Sequence, residues 1–287
     1  MTKKVWGDYD QAALDVAYNA REAVPDFDAS LGVYVEESQR VRDAIPGPRG
    51  VSYGPHRDQV LDIFPATGKN APVHLFLHGG YWRALSKDEH SFTADALTPA
   101  GACVMVNTYS LCPDVHIDVI VRQCRDAIAW AYSNAAAHGG DPERLFISGH
   151  SAGGHLVGMM LATDWGAEYG LPADVIKGAT AISGIYDMRP MRLAFTQEWI
   201  DLTEQAAARN SPLYNLPSHT CPVIVAWGDA DPVGFHEQGR AYIEALTGHG
   251  VPVSHVPLPG LDHFATCAEL MDPTRPLTKA VLAQMGL

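Results

Sequence analysis

The sequence lacks the features of a disulfide-bonded or membrane-spanning protein. It has only five cysteines in 287 residues, an odd number without a C-x-x-C pair, so neither a disulfide framework nor a zinc ribbon is predicted. No apolar run approaches the roughly 18 residues of a membrane span, and no apolar segment of the signal-peptide kind follows the basic residues at the N-terminus. We therefore predict a soluble, cytoplasmic protein with reduced thiols.

Positive charge is also scarce. The chain has 20 Lys and Arg against 33 Asp and Glu, a formal net charge of −13, which argues against a phosphate backbone or an anionic membrane as the main partner. The 13 histidines are scattered, without an H-E-x-x-H motif or another clustered ligand set, so no metal or other cofactor is predicted. A small-molecule partner is favoured, and the oligomeric state stays open, a homodimer included.

Short apolar runs alternate with stretches of helical periodicity along most of the chain. The predicted strands cover residues 58–64, 73–77, 102–106, 145–147, 179–182, 222–227 and 251–256, and the main predicted helices cover 115–138, 152–163, 235–246 and 278–285. This alternation predicts an α/β protein with a mostly parallel central sheet, helices on both faces and ligand chemistry at the carboxyl ends of the strands. Since no internal repeat, low-complexity tract or linker divides the chain, we predict a single domain over residues 1–287.

Two segments depart from this alternation. Residues 1–45 mix aromatic and charged residues in two helical patterns, near 9–19 and 31–44. They predict an N-terminal arm that either packs on the domain or borders the mouth of the active site. Residues 188–217 contain helical pieces interrupted by three prolines, which indicates an excursion from the sheet in the form of a small cap.

A serine lies where a predicted strand meets a predicted helix. Gly149-His-Ser-Ala-Gly153 fits the G-x-S-x-G nucleophile elbow, a turn so tight that the residues two positions from the serine must lack bulk. The strained backbone would direct the Oγ of Ser151 outward. The N–H of Ala152 would lie at a helix N-terminus, where a developing negative charge is favoured. Ser151 is therefore the predicted nucleophile.

Two adjacent glycines follow the predicted strand at 73–77. In the run His78-Gly-Gly-Tyr-Trp82 they would let the backbone fold back and expose successive N–H groups, as an oxyanion hole requires. An ordinary glycine turn is the alternative, but the downstream elbow makes such a loop the expected second donor. Gly79, Gly80 and Tyr81 are thus predicted to hold an oxyanion together with Ala152.

The other members of a catalytic triad are expected downstream of the serine. A serine hydroxyl needs a histidine base, and the histidine needs a carboxylate that fixes its tautomer, in the order Ser, Asp, His. His263 fits because it lies in a loop just after the last predicted strand. Asp229 and Asp231 both follow an earlier strand. We favour Asp231, which lies deeper in the loop and is held extended by Pro232, and keep Asp229 as the alternative.

Eight short segments between Tyr53 and Cys267 carry a family resemblance. They are H-G-G-Y-W at 78–82, Y-S-L-C-P at 109–113, G-H-S-A-G-G-H-L at 149–156, S-G-I-Y-D at 183–187, N-S-P at 210–212, G-D-A-D at 228–231, F-H-E-Q at 235–238 and D-H-F at 262–264. The chain resembles the α/β-hydrolase superfamily and, within it, the kynurenine formamidase (arylformamidase) branch. The elbow and the H-G-G loop are shared with many esterases, whereas the Tyr81-Trp82 pair and the F-H-x-Q run are narrower.

The resemblance implies an α/β-hydrolase fold and a serine hydrolase that cleaves an aryl formamide, such as N-formylkynurenine, through an acyl-enzyme. It implies Ser151, Asp231 and His263 as the triad. Aromatic side chains are available either to contact an aryl ring or to pack in the core. The candidates for substrate contact are Tyr81, Trp82, Tyr109 and Tyr186.

Four other functions compete with this hypothesis. A carboxylesterase for short acyl or aryl esters would use the same residues with a roomier acyl pocket, and an amidase could act on another aromatic or heterocyclic amide. A catalytically inactive binding fold is disfavoured by the intact Ser, Asp and His set. A metal-dependent formamidase is disfavoured by the scattered histidines.

Overall fold

The computed structural model describes residues 3–287, which form an eight-stranded sheet between two layers of helices. The strands are β1 Val51–Ser52, β2 Val60–Phe64, β3 Ala71–Leu77, β4 Cys103–Asn107, β5 Gly140–His150, β6 Ile176–Ile182, β7 Val223–Gly228 and β8 Val253–Leu258. Their order is β1-β2-β4-β3-β5-β6-β7-β8, with β1 and β2 antiparallel to their neighbours and β3 to β8 parallel. The predicted mostly parallel sheet is confirmed.

Helices cover both faces of this sheet. The α-helices of the described residues are α1 Gln11–Tyr18, α2 Phe27–Ala44, α3 Ala94–Leu97, α4 Ile117–Asn134, α5 Ala152–Leu161, α6 Trp165–Tyr169, α7 Gln197–Ile200, α8 Glu204–Arg209, α9 Val233–Gly248, α10 His263–Ala268 and α11 Pro276–Met285, with 3₁₀ turns at Lys87–Glu89, Ser91–Thr93, Ala135–His138 and Glu269–Met271. One core contains α1, α4, α5 and α9, and the other contains α2, α3, α10 and α11. Strand residues alternate between them, with Val73 and Leu75 in the first core and Phe76 in the second.

The structure shifts some predicted boundaries for identifiable reasons. β5 begins at Gly140 rather than Leu145, because its first half pairs with β3 at a register shift and is only partly buried, so it has no continuous apolar run. His263 was expected in a loop but begins the short helix α10. That helix is capped by Asp262, whose side chain accepts hydrogen bonds from the backbone N–H groups of Phe264 and Ala265. A six-residue helix is too short to show a periodic pattern.

One buried glutamine holds the N-terminal arm and the segment after β6 together. Gln238 of α9 donates from Nε2 to the hydroxyl of Tyr18 at 3.0 Å, and its Oε1 accepts from the N–H groups of Tyr186 and Asp187 at 2.8 and 2.7 Å. This is the glutamine of the F-H-E-Q run, so that motif positions two segments that flank the carboxyl edge of the sheet. No helix within residues 3–287 has the length and apolar character needed to cross a membrane.

Candidate active site

Ser151 occupies a strained turn between β5 and α5. Its backbone is in a region that L-residues rarely adopt (φ 58°, ψ −117°), and its N–H donates to the carbonyl of Ile182 at 2.8 Å. A Cβ at Gly153 would lie 2.0 Å from the carbonyl oxygen of Leu77, and one at Gly149 would lie 2.3 Å from that of Gly153. Both positions therefore require glycine. Such packing can hold a turn whose strain costs about 1–3 kcal/mol.

His263 is paired with Asp231 beneath the surface. The Nδ1 of His263 lies 2.6 Å from the Oδ1 of Asp231, and the two side chains are 3% and 0% exposed. With the Nδ1 proton donated to the carboxylate, Nε2 is the nitrogen that carries the basic lone pair. Ser151 and His263 line the same cavity. The three side chains are therefore of the types that a catalytic triad requires: a histidine base, a carboxylate that orients it and a serine nucleophile.

The second oxygen of Asp231 is held by Ser183, a residue that the sequence analysis did not assign to the site. The Oδ2 of Asp231 accepts from the Oγ of Ser183 at 2.7 Å and from the N–H of Gly228 at 2.9 Å. Ser183 follows β6 in a left-handed conformation, with φ 46°. These two donors fix the carboxylate in its orientation toward His263. Two sequence signals point to Ser183: its place directly after a predicted strand and its position in the S-G-I-Y-D segment of the family resemblance.

The alternative acid, Asp229, points elsewhere. It is exposed, and its Oδ1 accepts from the N–H of Gly260 in the loop after β8. Asp231 instead lies in a tight turn in which its own N–H donates to the carbonyl of Gly228 at 3.1 Å. That turn brings the Asp231 side chain back against His263.

These two aspartates form a matched pair for mutation. We expect Asp231→Asn to lower kcat about 10³- to 10⁴-fold, because an amide cannot fix the reactive tautomer of His263 or stabilise its protonated form. Asp229→Asn removes the same charge two residues away and is expected to change kcat little. Steady-state assays of both variants with a chromogenic ester measure the difference, and equal losses would argue against the assignment of Asp231 as the acid.

The glycine loop after β3 runs alongside the elbow. A Cβ at Gly79 would lie 3.3 Å from the Cβ of Ser151, and Gly80 and Tyr81 both have positive φ, at 106° and 50°. No hydrogen bond within residues 3–287 occupies the N–H groups of Gly80, Tyr81 or Ala152. The loop therefore brings backbone donors next to the serine, as an oxyanion hole needs.

Tyr81 keeps its unusual backbone because both of its ends are anchored. Its hydroxyl donates to the carbonyl of Tyr18, and its own carbonyl accepts from the Nε1 of Trp199 at 3.0 Å. The glycine loop is thus attached both to the N-terminal arm and to α7.

Three buried histidines, one of them packed against His263, lie near the site without adding charge. Burial lowers the pKa of His78 to about 3 and that of His90 to about 4. Burial and the nearby His263 lower the pKa of His150 well below its ordinary value, and His150 Nε2 lies 2.8 Å from the carbonyl of His263. At neutral pH these rings are uncharged, so they do not oppose the positive charge that would develop on His263.

A cavity of about 780 Å³ opens beside Ser151 and His263. This volume is typical of a small-molecule site. Six aromatic side chains line it, and they come from the N-terminal arm, the glycine loop, the segment around α7 and α10. They are Phe27, Tyr34, Tyr81, Phe195, Trp199 and Phe264. The N-terminal arm therefore borders the mouth of the site.

Of the four aromatic residues predicted to contact substrate, Tyr81 lines this cavity. Trp82, Tyr109 and Tyr186 are packed in the core with exposures of 0%, 1% and 0%, so substrate contact by these three rings is not supported. Their partners are the Nδ1 of His155 for the indole of Trp82, the ring of His78 for Tyr109 and the ring of Tyr242 for Tyr186.

Comparison with known proteins agrees with this geometry. Residues 74–266 match the family described as the alpha/beta hydrolase fold. The chain belongs to the α/β-hydrolase family. Kynurenine formamidase of Danio rerio is 34% identical over 256 residues, which cover 87% of this chain and 85% of that protein. The resemblance to the kynurenine formamidase branch is thereby confirmed.

Esterases are also among its relatives. Esterase LipQ of Mycobacterium tuberculosis is 29% identical over 250 residues, 76% of this chain and 59% of that protein. The solved structure of a candidate thioesterase from Silicibacter sp. TM1040 has a TM-score of 0.82 and 28% identity, covering 93% of this chain and 97% of that one. This α/β-hydrolase therefore has relatives named for hydrolysis of amides and of esters.

Proposed function

We propose that this α/β-hydrolase is a serine hydrolase that cleaves aryl formamides, with N-formylkynurenine as the reference substrate. The observation that carries the proposal is the position of Ser151 and the buried His263–Asp231 pair beside a cavity lined by six aromatic rings. The 34% identity to a kynurenine formamidase over most of both chains supports it.

The first half of the proposed reaction forms a formyl-enzyme. The Nε2 of His263 takes the proton of Ser151 as the Oγ attacks the formyl carbon. The carbonyl oxygen becomes negatively charged and is held by backbone N–H groups at Gly79, Gly80, Tyr81 and Ala152. The C–N bond then breaks, and the proton on His263 passes to the departing nitrogen, which leaves as a neutral aryl amine.

The second half releases formate. A water molecule takes the place of the amine, loses a proton to His263 and attacks the formyl ester. The ester C–O bond breaks, the proton on His263 returns to the Oγ of Ser151, and formic acid leaves, which loses its proton to the solvent to give formate. Asp231 keeps His263 in the same orientation for both halves, because its own position is fixed by Ser183 and Gly228.

The aromatic cavity supports an aryl leaving group. Phe195 and Trp199 both make edge-to-face contacts with Tyr81, at ring-centroid distances of 5.9 and 6.4 Å. These contacts hold the rings in fixed positions, so an aromatic substrate would bind with little ordering of side chains.

A carboxylesterase for short acyl or aryl esters is the second candidate. It is favoured by the relation to esterase LipQ, and it would use the same serine, histidine and aspartate. The two functions differ in the acyl side of the site, which for a formamide needs room only for a hydrogen atom.

Three substrates separate these functions. We expect kcat/KM for N-formylkynurenine to exceed that for N-acetylkynurenine about 10- to 100-fold, because the extra methyl group must fit a pocket shaped for hydrogen. Turnover of p-nitrophenyl acetate in the same preparation shows that the serine is active. Ester turnover with negligible formamide turnover would replace the formamidase proposal by the esterase. The Ser151→Ala variant is the control for contaminating activity.

A cytoplasmic location is part of the same proposal. It is supported by the five cysteines, which are all free thiols with buried side chains, as expected of a protein in a reducing compartment.

A further inference from the structure

The proposed base His263 is held through its backbone as well as through its ring. Its carbonyl oxygen accepts from the Oγ1 of Thr266 at 2.7 Å and lies 2.8 Å from the Nε2 of His150, and these two residues are 0% and 3% exposed. His263 begins α10, which has only six residues, and a helix of this length is not stable by itself. Contacts with the rest of the protein therefore set the position of the base.

His150 connects this carbonyl to the nucleophile elbow. It is the last residue of β5 and directly precedes Ser151. The rings of His150 and His263 are in contact, with their centroids 4.6 Å apart and their planes at 48°, and both residues line the cavity. A shift of α10 away from the end of β5 would break both contacts. One side chain thus links the peptide of the base to the strand end that carries the nucleophile.

The hydrogen bond also defines which nitrogen of His150 carries the proton. A carbonyl oxygen can only accept, so Nε2 is the donor. Burial and, after it, the nearby His263 lower the pKa of His150 well below its ordinary value, so at neutral pH the ring has no second proton. Its unprotonated Nδ1 lies against the glycine loop, where a Cβ at Gly79 would be 3.3 Å from it. His150 therefore acts on His263 as a neutral donor and adds no positive charge beside it.

We propose that His150 is a positioning residue, which keeps His263 at a fixed place relative to Ser151 by donating from Nε2 to the carbonyl of His263. This inference rests on the proposed function for the roles of Ser151 and His263, but not for the identity of the substrate. It gives a role to the first variable position of the G-x-S-x-G turn. The steric limits of that turn act at Gly149 and Gly153, so they do not explain a histidine between them.

Three substitutions of His150 separate the hydrogen bond from the ring. His150→Phe keeps a planar ring but removes the donor, and we expect it to lower kcat about 10- to 100-fold with little change in KM, because it displaces the base rather than the substrate. His150→Gln places an amide N–H at about the position of Nε2 and should recover most of this loss. His150→Asn has the same amide on a side chain one methylene shorter, which does not reach the carbonyl, so its kcat should be as low as that of His150→Phe.

His155→Phe is the matched control. His155 is also buried, and its Nε2 lies 2.8 Å from the carbonyl of Asn210, so the same substitution removes the same kind of hydrogen bond without touching His263. It should lower the free energy of unfolding at least as much as His150→Phe, because the indole of Trp82 also loses its acceptor, but it should lower kcat much less. Urea denaturation gives the folded fraction by which each kcat is corrected. Equal losses of corrected kcat in the two variants would overturn the proposal.

The Nδ1 proton of His263 gives a readout that a merely structural role of His150 would not move. This proton lies in a short, charge-assisted hydrogen bond of 2.6 Å to Asp231, and such protons resonate far downfield in ¹H NMR spectra. We expect the resonance to move upfield or broaden in His150→Phe, and to be retained in His150→Gln and His155→Phe. An unchanged resonance in the folded His150→Phe protein, or a kcat equal to that of the parent, would overturn the proposal.

A second substrate keeps this result separate from the proposed function. Each kcat is measured with p-nitrophenyl acetate as well as with N-formylkynurenine, since acylation of Ser151 by either substrate needs the same base. If the parent cleaves the ester but not the formamide, and His150→Phe lowers ester turnover as expected, the role of His150 stands and the formamidase function fails. If the parent cleaves the formamide and His150→Phe cleaves it equally well, the formamidase function stands and the role of His150 fails.

Discussion

Replacing Ser151 by alanine is expected to lower kcat by about four or more orders of magnitude and to leave the fold intact. The Oγ of Ser151 is the atom that would bond to the acyl carbon, so its loss removes the covalent route, while the backbone donors and the cavity remain to give a small residual rate. Single-turnover assays with N-formylkynurenine and an activated ester measure the loss. Circular dichroism and the cavity's affinity for kynurenine check that the protein is folded.

Three companion variants make this test specific. His263→Ala should lower kcat nearly as much, and the double variant should be little worse than either single one, because the two side chains act as one unit. Ser151→Gly should be as inactive as Ser151→Ala but more stable by about 1 kcal/mol, since glycine accepts the positive φ of 58° at this turn. A fully active Ser151→Ala protein, or one still labelled by a fluorophosphonate, would refute the role of Ser151.

The three residues of the proposed catalytic centre could be grouped from the sequence because parallel strands place their carboxyl ends at one edge. Ser151 follows β5, Asp231 follows β7 and His263 follows β8, and each of these strands was recognisable as a short apolar run. Parallel pairing then brings residues far apart in sequence together without knowledge of any side-chain contact. The elbow added a local constraint, because steric limits at Gly149 and Gly153 are visible in five consecutive residues.

The walls of the cavity could not be predicted in the same way. Tyr81 and Trp82 are adjacent aromatic residues with nearly equal φ values, 50° and 56°, yet Tyr81 lines the cavity and Trp82 is fully buried. Only the path of the loop decides between them. Trp199 lies in the four-residue helix α7, and Arg21 lies in the turn after α1. Neither segment is long enough to show a periodic pattern.

Buried histidines give this protein a strong expected dependence of stability on pH. Burial lowers the pKa of His74, His90 and His155 to about 4, that of His78 to about 3 and that of His150 well below the ordinary value. In the unfolded chain each has a pKa of about 6.5. The unfolded state therefore takes up protons as the pH falls through about 6.5, whereas the folded state does not until about pH 4. The contribution of these neutral rings to the free energy of unfolding is thus fully present above pH 7 and decreases progressively below pH 6.5.

The expected loss is large. Each such histidine contributes about 1 kcal/mol between pH 6.5 and 5.5, so the five together remove roughly 5 kcal/mol from a free energy of unfolding that is typically about 5–15 kcal/mol. Urea denaturation at pH 8, 6.5, 6 and 5.5 measures the slope. A free energy of unfolding that stays constant over this range would contradict the expectation that these rings remain neutral in the fold.

His74 allows the contribution of a single ring to be isolated. Within residues 3–287, neither of its ring nitrogens has a hydrogen-bond partner, so His74→Leu removes a titrating group without breaking a hydrogen bond. We expect this variant to reduce the pH slope by about one fifth and to be more stable than the parent by about 1 kcal/mol at pH 5.5. The ring of His155 is hydrogen-bonded to the indole N–H of Trp82 and to the carbonyl of Asn210. His155→Gln should therefore reduce the pH dependence of the free energy of unfolding similarly, but it should also lower that free energy at pH 8. The contrast between these two variants separates proton uptake from the loss of buried hydrogen bonds, because only the first effect depends on pH.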